Sequence, residues 1–467
     1  MKTNQQYRTP TGYPNILIIY PDQMRGDCLS YAGNPCIKTP HIDRLAYEGV
    51  LFENAFTSFP LCSPFRASFF TGKYAQATGI YANHYTIPLD QDFLPQIFRE
   101  HGYQTGYFGK WHLDGGKIPG FVPPGERRLG FDHFIGFNRG HHYFGSVYYK
   151  DTHQPYTSRR YEPDYQTDQL IDFMEGCQAD PGGRPFFAMI NYGPPHPPLE
   201  ASENYLGLYS PEEVPILDPV PEDAASRWAA REFLAKYYGL ITCVDHNVGR
   251  LLGWLDRRNL VDDTVVIFVS DHGELAGEHG RYAKKNYHRA AMHVPLIIRN
   301  PKRFPAGRIV RSIVDPSVDS MPTLLELCGF PIPESVQGVS YLSHLEGSDI
   351  PTRKAVYYKI LLEMEGPERY PVPERGVRSL EWLYVRDRGS PIALYDLKED
   401  PHEMNNLAGS MGYLDVISKL DNLLVDHMVR TADDWDLGAV FPPHDYHTYD
   451  QGDRNVASLL EHAIIEP

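Results

Sequence analysis

The sequence predicts an α/β fold, a large mixed and mostly parallel sheet sandwiched by helices, followed by a smaller C-terminal antiparallel sheet with one helix. Three observations predict it. Over roughly the first 340 residues, short β-branched runs alternate with helically periodic stretches, the pattern that strand–helix–strand units leave in a sequence. After Gly338 the texture changes: "AVYYKI", "VRSLEWLYVR" and "ALYDL" follow one another with no helical stretch between them, as in an antiparallel sheet. "YLDVISKLDNLLVDHM" (Tyr413–Met428) then carries the apolar stripe of a helix that can cover that sheet. These features divide the chain into a main domain, residues 1–350, and a C-terminal α+β subdomain with its tail, residues 351–467.

Taken in order, "NILIIY" (Asn15–Tyr20) is an unbroken apolar run, expected of a strand buried on both faces. "TPHIDRLAYEG" reads as a helix with Thr39 as N-cap, Pro40 at the first helical position, Ile42, Leu45 and Ala46 on one face, and Gly49 as the stop. Further buried strands are expected at Pro185–Tyr192, Thr264–Ser270 and Val294–Arg299, with a long helix from Trp228 to Arg258 feeding the second of these. The proline-rich stretch Pro194–Pro221 and the Gly/Tyr-rich stretch Gly136–Tyr165 read as long surface loops of the kind that carry function. The tail Asp433–Pro467, with Trp435 and Phe441, can wrap the core or a second copy of the chain in a homo-oligomer.

Composition narrows the function. The chain has 467 residues, is 42% hydrophobic and 22% charged, and carries a formal charge of −16 with no basic block, which argues against a phosphate-tracking nucleic-acid surface. The N-terminus lacks the apolar core of a secretory signal, and the run Ile16–Tyr20 is far too short to span a bilayer. The expectation is a soluble cytoplasmic chain with no membrane partner, or a periplasmic or secreted one if a leader was trimmed. The six cysteines form no C-x-x-C pair and no disulfide-dense spacing, so they read as free, buried thiols.

Ligands of open α/β sheets gather at the carboxyl ends of the strands. Asp22 and Gln23 follow the first strand, and Asp271 and His272 follow "TVVIFVS", so two oxygen-rich pairs can close on one hard divalent cation. An Asp after a strand is by itself more often a turn residue; the two pairs together, with the glycine-rich "SDHGELAGEHG", favour the metal. "YFGKWHL" sets Lys110 and His112 on alternate positions, "NYGPPHPPLE" holds His196 between prolines, and "RYAKKNYHRAAMHVPL" offers Lys284 or Lys285. Two lysines and two histidines on one strand-end rim suit a tetrahedral anion.

"LCSPFRASFFTG" then identifies a resemblance. With "PDQ", "GKWHL", "PPHPP", "SDHGE" and "LYDLKEDPHEMNNLA" in order, the chain resembles the formylglycine-dependent sulfatases of the alkaline-phosphatase-like superfamily over nearly its whole length. The resemblance implies that a maturation enzyme oxidises Cys62 to a formylglycine aldehyde. One hydroxyl of its hydrate attacks sulfur and expels the alcohol, and loss of the second proton then releases sulfate, which a serine in that place could not do. It also implies that Asp22, Gln23, Asp271, His272 and the modified Cys62 hold one divalent metal, calcium or alternatively manganese. Arg66 would hold the formylglycine and the metal ligands, Lys110, His196 and Lys284 would bind sulfate, His112 would be the base, and His196 or Lys284 would protonate the leaving oxygen. The implied substrate is a small-molecule or oligosaccharide sulfate ester; a phosphonate monoester or phosphodiester is the rival.

Four positions depart from the family pattern. Phe65 stands where a small residue is common, Gln23 and His272 replace the more frequent Asp and Asn, and His293 stands where an Arg is common. The aromatic and histidine-rich stretch Asn138–Tyr156 can stack sugar rings, or it can be a surface loop packed by its own tyrosines.

Overall fold

The computed structural model describes residues 12–116, 118–361, 373–435, 459–460 and 462–466. In chain order the strands are β1 (Asn15–Asp22), β2 (Val50–Ala55), β3 (Gln104–Lys110), β4 (His133–Phe137), β5 (Val147–Tyr148), β6 (Tyr156–Ser158), β7 (Phe186–Pro195), β8 (Thr264–Val269), β9 (Leu296–Arg299) and β10 (Arg308–Val314). They continue with β11 (Lys359–Ile360), β12 (Glu374–Arg378), β13 (Trp382–Arg386), β14 (Pro391–Asp396) and β15 (Ile464–Glu466). The helices are α1 (Pro40–Glu48), α2 (Cys62–Thr71), α3 (Ala75–Thr78), α4 (Leu94–Glu100), α5 (Glu162–Gln178), α6 (Glu203–Leu206), α7 (Ala224–Arg258), α8 (Arg289–Met292), α9 (Pro316–Cys328), α10 (Leu342–Leu345) and α11 (Leu414–Arg430).

The main sheet has eight strands in the order β10-β2-β9-β8-β1-β7-β3-β4. Only β9 runs against its neighbours; the other pairings are parallel. The unbroken apolar runs follow from burial on both faces. Along β1, Ile16, Ile18 and Tyr20 enter the core beneath α2 and α9, whereas Leu17 and Ile19 enter the core beneath α1, α5 and α7. The second sheet, β11-β12-β13-β14, is antiparallel throughout, and α11 packs on β12 and β13 through Ile417, Leu420 and Leu424.

Three local expectations differ from the structure, and a fourth is made more specific by it. Thr39 precedes α1, but its side chain caps nothing in that helix and pairs with Ser30 instead; the free N–H groups of His41 and Ile42 donate to Asp245 of α7 at 2.9 and 2.8 Å. A carboxylate from another element does the work of a local cap, which no local sequence pattern can report. The long helix begins four residues earlier than expected, at Ala224, because Asp223 accepts from the Ser226 N–H and caps it. "VRSLEWLYVR" is a hairpin, with Ser379 Oγ accepting from the N–H of Trp382 at 2.9 Å in the turn between β12 and β13. The stretch Gly136–Tyr165 is not one loop: β5 and β6 lie inside it, and β15 from the tail joins them in a three-stranded sheet. Strands of two and three residues are too short to show an alternation in sequence.

The tail therefore returns to the body of the protein. Asp433 is buried against Lys359 at 3.0 Å and Arg375 at 2.7 Å, and Glu466 binds Lys150 and the Tyr165 hydroxyl at 2.5 Å each. Phe441 lies outside the described residues. No helix among the described residues is long and apolar enough to cross a membrane.

Candidate active site

Four strands of the main sheet deliver the site at one edge. β1 ends on Asp22, β3 on Lys110, β7 directly before His196, and β8 two residues before Asp271. Helix α2 points its N-terminus at the same place, with Cys62 as its first residue, so the helix dipole favours negative charge at that sulfur. Donor atoms of Asp22, Cys62, Asp271 and His272 all lie within 4.8 Å of one another, and all four residues are buried.

This cluster fits a divalent cation. His272 Nδ1 donates to the Gly273 carbonyl at 3.0 Å, which leaves the Nε2 lone pair facing Cys62 Sγ at 3.3 Å and Asp271 Oδ2 at 3.5 Å. Asp271 Oδ2 is buried with no hydrogen-bond partner, an acceptor that a cation would satisfy. Burial alone would raise the Asp22 carboxyl, but the Lys110 ammonium, with the Arg66 guanidinium, holds it well below the usual carboxylate range. Burial and Asp22 push the Cys62 thiol up; the Lys110 and Lys284 ammonium groups outweigh them and lower it.

Arg66, one turn along α2 from Cys62, is 1% exposed and ties the strand ends together. Its guanidinium donates to Asp22 Oδ2 at 3.1 Å, Asn191 Oδ1 at 2.9 Å, the Lys110 carbonyl at 2.7 Å and the Tyr107 hydroxyl at 3.2 Å, with the Tyr20 ring at 4.8 Å. Phe65 is stacked between Tyr20 and Phe69 in the core. Its large side chain is a packing choice of that core cluster. His293 is likewise a packing residue: Nε2 donates to the Glu53 carbonyl at 3.0 Å, and its ring fills the space where Gly26 lacks a side chain.

Two lysine–histidine pairs line the outer side. Lys110 Nζ donates to Asp22 Oδ2 at 2.8 Å and to His141 Nε2 at 3.0 Å. Lys284 Nζ donates to Gln23 Oε1 at 2.5 Å and to His196 Nε2 at 2.7 Å. The two imidazoles stack at 3.7 Å, 3° from parallel. Their tautomers follow from the other nitrogens: His196 Nδ1 donates to the Pro197 carbonyl at 2.6 Å, and Tyr143, whose hydroxyl donates to the His196 carbonyl, accepts from His141 Nδ1 at 3.3 Å. Burial and Lys284 hold His196 neutral, and burial with Lys110 does the same for His141. His112 is 3% exposed, is kept neutral by burial and by Lys110, and sits 3.4 Å from His84.

Gln23 has a left-handed backbone, φ 65°, that turns its N–H onto Asp271 Oδ1 at 2.9 Å. Its amide bridges two groups, donating to Glu274 and accepting from Lys284. Every site residue expected from the sequence thus stands at one strand-end edge. Asn191, Glu274, His141 and His84 were not singled out. Glu274 sits inside the motif "SDHGE" and His141 inside the histidine-rich stretch flagged for substrate contact, so both were marked in the sequence; the Asn191–Arg66 contact joins residues 125 apart and left no local trace. The residues open into a pocket of about 1070 Å³.

Comparison with known proteins agrees with this geometry. The family model described as Sulfatase matches residues 14–330, and that described as N-sulphoglucosamine sulphohydrolase, C-terminal, matches residues 277–430. An ulvan-active sulfatase of Formosa agariphila is 33% identical over 443 residues, covering 93% of this chain and 84% of the relative. A solved structure described as a sulfatase candidate, yidJ, from Bacteroides fragilis superposes with a TM-score of 0.83 at 28% identity, covering 93% of this chain and 98% of its own. The structure of BT4656 with its substrate D-glucosamine-2-N,6-O-disulfate superposes with a TM-score of 0.79 at 26% identity, covering 90% and 99%. The chain belongs to the sulfatase family, with the alkaline-phosphatase-like fold, and is an enzyme of the sulfuric ester hydrolase class.

Proposed function

We propose that the enzyme hydrolyses a sulfate ester of a sulfated saccharide, using formylglycine made from Cys62 by a maturation enzyme and one divalent metal, calcium or alternatively manganese. The observation that carries this reading is the place of Cys62: a buried sulfur at a helix N-terminus, inside a cluster of Asp22, Asp271 and His272, at the floor of a cation-rich pocket. The relatives named for ulvan and for glucosamine disulfate support the saccharide.

Asp22, Asp271, His272 and the residue at 62, with Gln23 beside them, would hold the metal, which supplies Lewis-acid activation of a hydroxyl and charge for the transferring group. Arg66 keeps Asp22 ionised and aimed. Lys110 and Lys284 present ammonium groups to the anionic oxygens of the ester, and charge neutralisation is the largest single contribution to rate. Neutral His196 offers only a lone pair towards Lys284, so the proton for the leaving oxygen is carried by Lys284. His112, neutral and at the pocket wall, is the base that takes a proton from the residue at 62.

A second reading, hydrolysis of a phosphonate monoester or phosphodiester with the same nucleophile, is favoured by Gln23 and His272 in the ligand set. Rates on 4-nitrophenyl sulfate and on 4-nitrophenyl phenylphosphonate decide: a kcat/KM higher for the sulfate supports the first reading, and the reverse order replaces it with the second.

A further inference from the structure

The stacked rings of His141 and His196 each accept from one lysine, Lys110 on the first and Lys284 on the second, so whatever fixes the rings also aims both ammonium groups. One hydroxyl holds both rings. Tyr143, fully buried and outside the pocket lining, donates to the His196 carbonyl and accepts from His141 Nδ1 at 3.3 Å.

Tyr143 is braced in turn by Glu162, the first residue of α5. The Glu162 N–H donates to the Tyr143 carbonyl at 2.9 Å, and the two side chains meet at one glycine of β7. A Cβ on Gly193 would stand 2.5 Å from the Tyr143 ring and 2.6 Å from Glu162 Oε1, closer than a Cβ can be packed. Gly193 lies three residues before His196, so carboxyl, ring and strand are in contact where the chain turns into the site. Glu162 Oε2 accepts from Ser146 Oγ at 2.9 Å, while Oε1 is buried with no hydrogen-bond partner among the described residues.

This setting suits an uncharged acid. The titratable groups that face the carboxyl are the phenols of Tyr143, Tyr148 and Tyr161, with Cys243 of α7 packed beside Tyr161, and Lys110 of β3. Lys110 already spends its ammonium on Asp22 and His141. Burial pushes the Glu162 carboxyl up to about 8, so it is neutral at pH 7 and ionises as the pH passes 8. A carboxylate formed there would sit unpaired against Gly193 and pull on Lys110.

Resting on the roles of Lys110 and Lys284 given above, we propose that Glu162 is a positioning residue for the reaction: its carboxyl, wedged between Ser146 and Gly193, fixes Tyr143, and through Tyr143 the two imidazoles that aim the lysines.

The test measures kcat/KM of the matured parent, Glu162→Gln, Glu162→Ala, Tyr143→Phe and the double variant Glu162→Ala/Tyr143→Phe at pH 7 and pH 9, with the fold of each checked by circular dichroism. The substrate is 4-nitrophenyl sulfate or 4-nitrophenyl phenylphosphonate, whichever the parent cleaves faster, so the choice between those esters can fail without touching this inference. At pH 7, Glu162→Gln should stay within three-fold of the parent, because the amide keeps the shape without a charge. Glu162→Ala and Tyr143→Phe should each lose at least ten-fold, and the double variant little more than the worse of the two, since both act along one path. Between pH 7 and pH 9 the parent should lose at least three-fold more of its activity than Glu162→Gln, a difference that packing alone does not produce. Equal pH profiles for the parent and Glu162→Gln, or losses that multiply in the double variant, overturn the inference. If Glu162→Ala does not fold, the pH comparison and Tyr143→Phe decide, and a Tyr143→Phe enzyme within three-fold of the parent at pH 7 overturns it as well.

Discussion

Lys284 Nζ stands 2.7 Å from His196 Nε2, while His196 Nδ1 is spent on the Pro197 carbonyl at 2.6 Å. The lysine, not the histidine, therefore holds the proton that faces the pocket. Lys284→Ala should lower kcat on a sugar sulfate, whose alkoxide leaves poorly, by roughly 10²–10⁴-fold. On 4-nitrophenyl sulfate, whose leaving group needs no proton, the loss should be at least ten-fold smaller. Equal losses on the two esters would show that Lys284 only binds sulfate.

Arg66 is the structural keystone of the site, because its guanidinium satisfies Asp22, Asn191 and the end of β3 together. Arg66→Ala leaves a buried carboxylate without one of its two cationic partners and should cost roughly 3–5 kcal/mol of stability. Urea denaturation measures it, and a loss under about 1 kcal/mol would contradict this role.

Glu162 sets a pH dependence of stability. It is 1% exposed, accepts from Ser146 at 2.9 Å, and burial pushes its carboxyl from 4.5 up to about 8. The folded state keeps this proton while the unfolded chain releases it above 4.5, so the contribution is complete below pH 4.5 and is lost as pH rises towards 8. Glu162→Gln, which removes the titration, should unfold at a higher temperature than the parent at pH 9 and gain less at pH 5. An equal difference at both pH values would contradict the assignment.

The cation cluster predicts ligand-linked stability. Calcium or manganese at about 100 times its dissociation constant should stabilise the fold by about 2.7 kcal/mol. Asp271→Asn should abolish the rise in unfolding temperature while remaining folded, since Asp271 Oδ2 has no other partner. An unchanged metal response in that variant would place the ion elsewhere.

What the sequence discloses depends on how local the cause is. The unbroken runs of β1, β7 and β8 show because both faces are buried, and Asp22, Lys110, His196 and Asp271 show because strand ends carry the site in an open α/β sheet. Asp245 capping α1 over a separation of 204 residues, and Asn191 holding Arg66, do not show, because each acts on a residue that only the fold brings near. The pairing of β15 with β6 is hidden for a further reason: strands of three residues have no period to read. Lys284 and Lys285 were a choice between neighbours in the sequence, and the left-handed turn at 283–285 resolves it by placing both in the pocket, with Lys284 on His196 and Gln23.

The central claim is that residue 62 acts as formylglycine. A mass spectrum of the tryptic peptide Leu45–Arg66, from protein made in its native host or with a maturation enzyme, tests it most directly. The account predicts the aldehyde or its hydrate in place of the Cys62 thiol, at a level that tracks sulfatase activity across preparations. An unmodified thiol in fully active enzyme would contradict it.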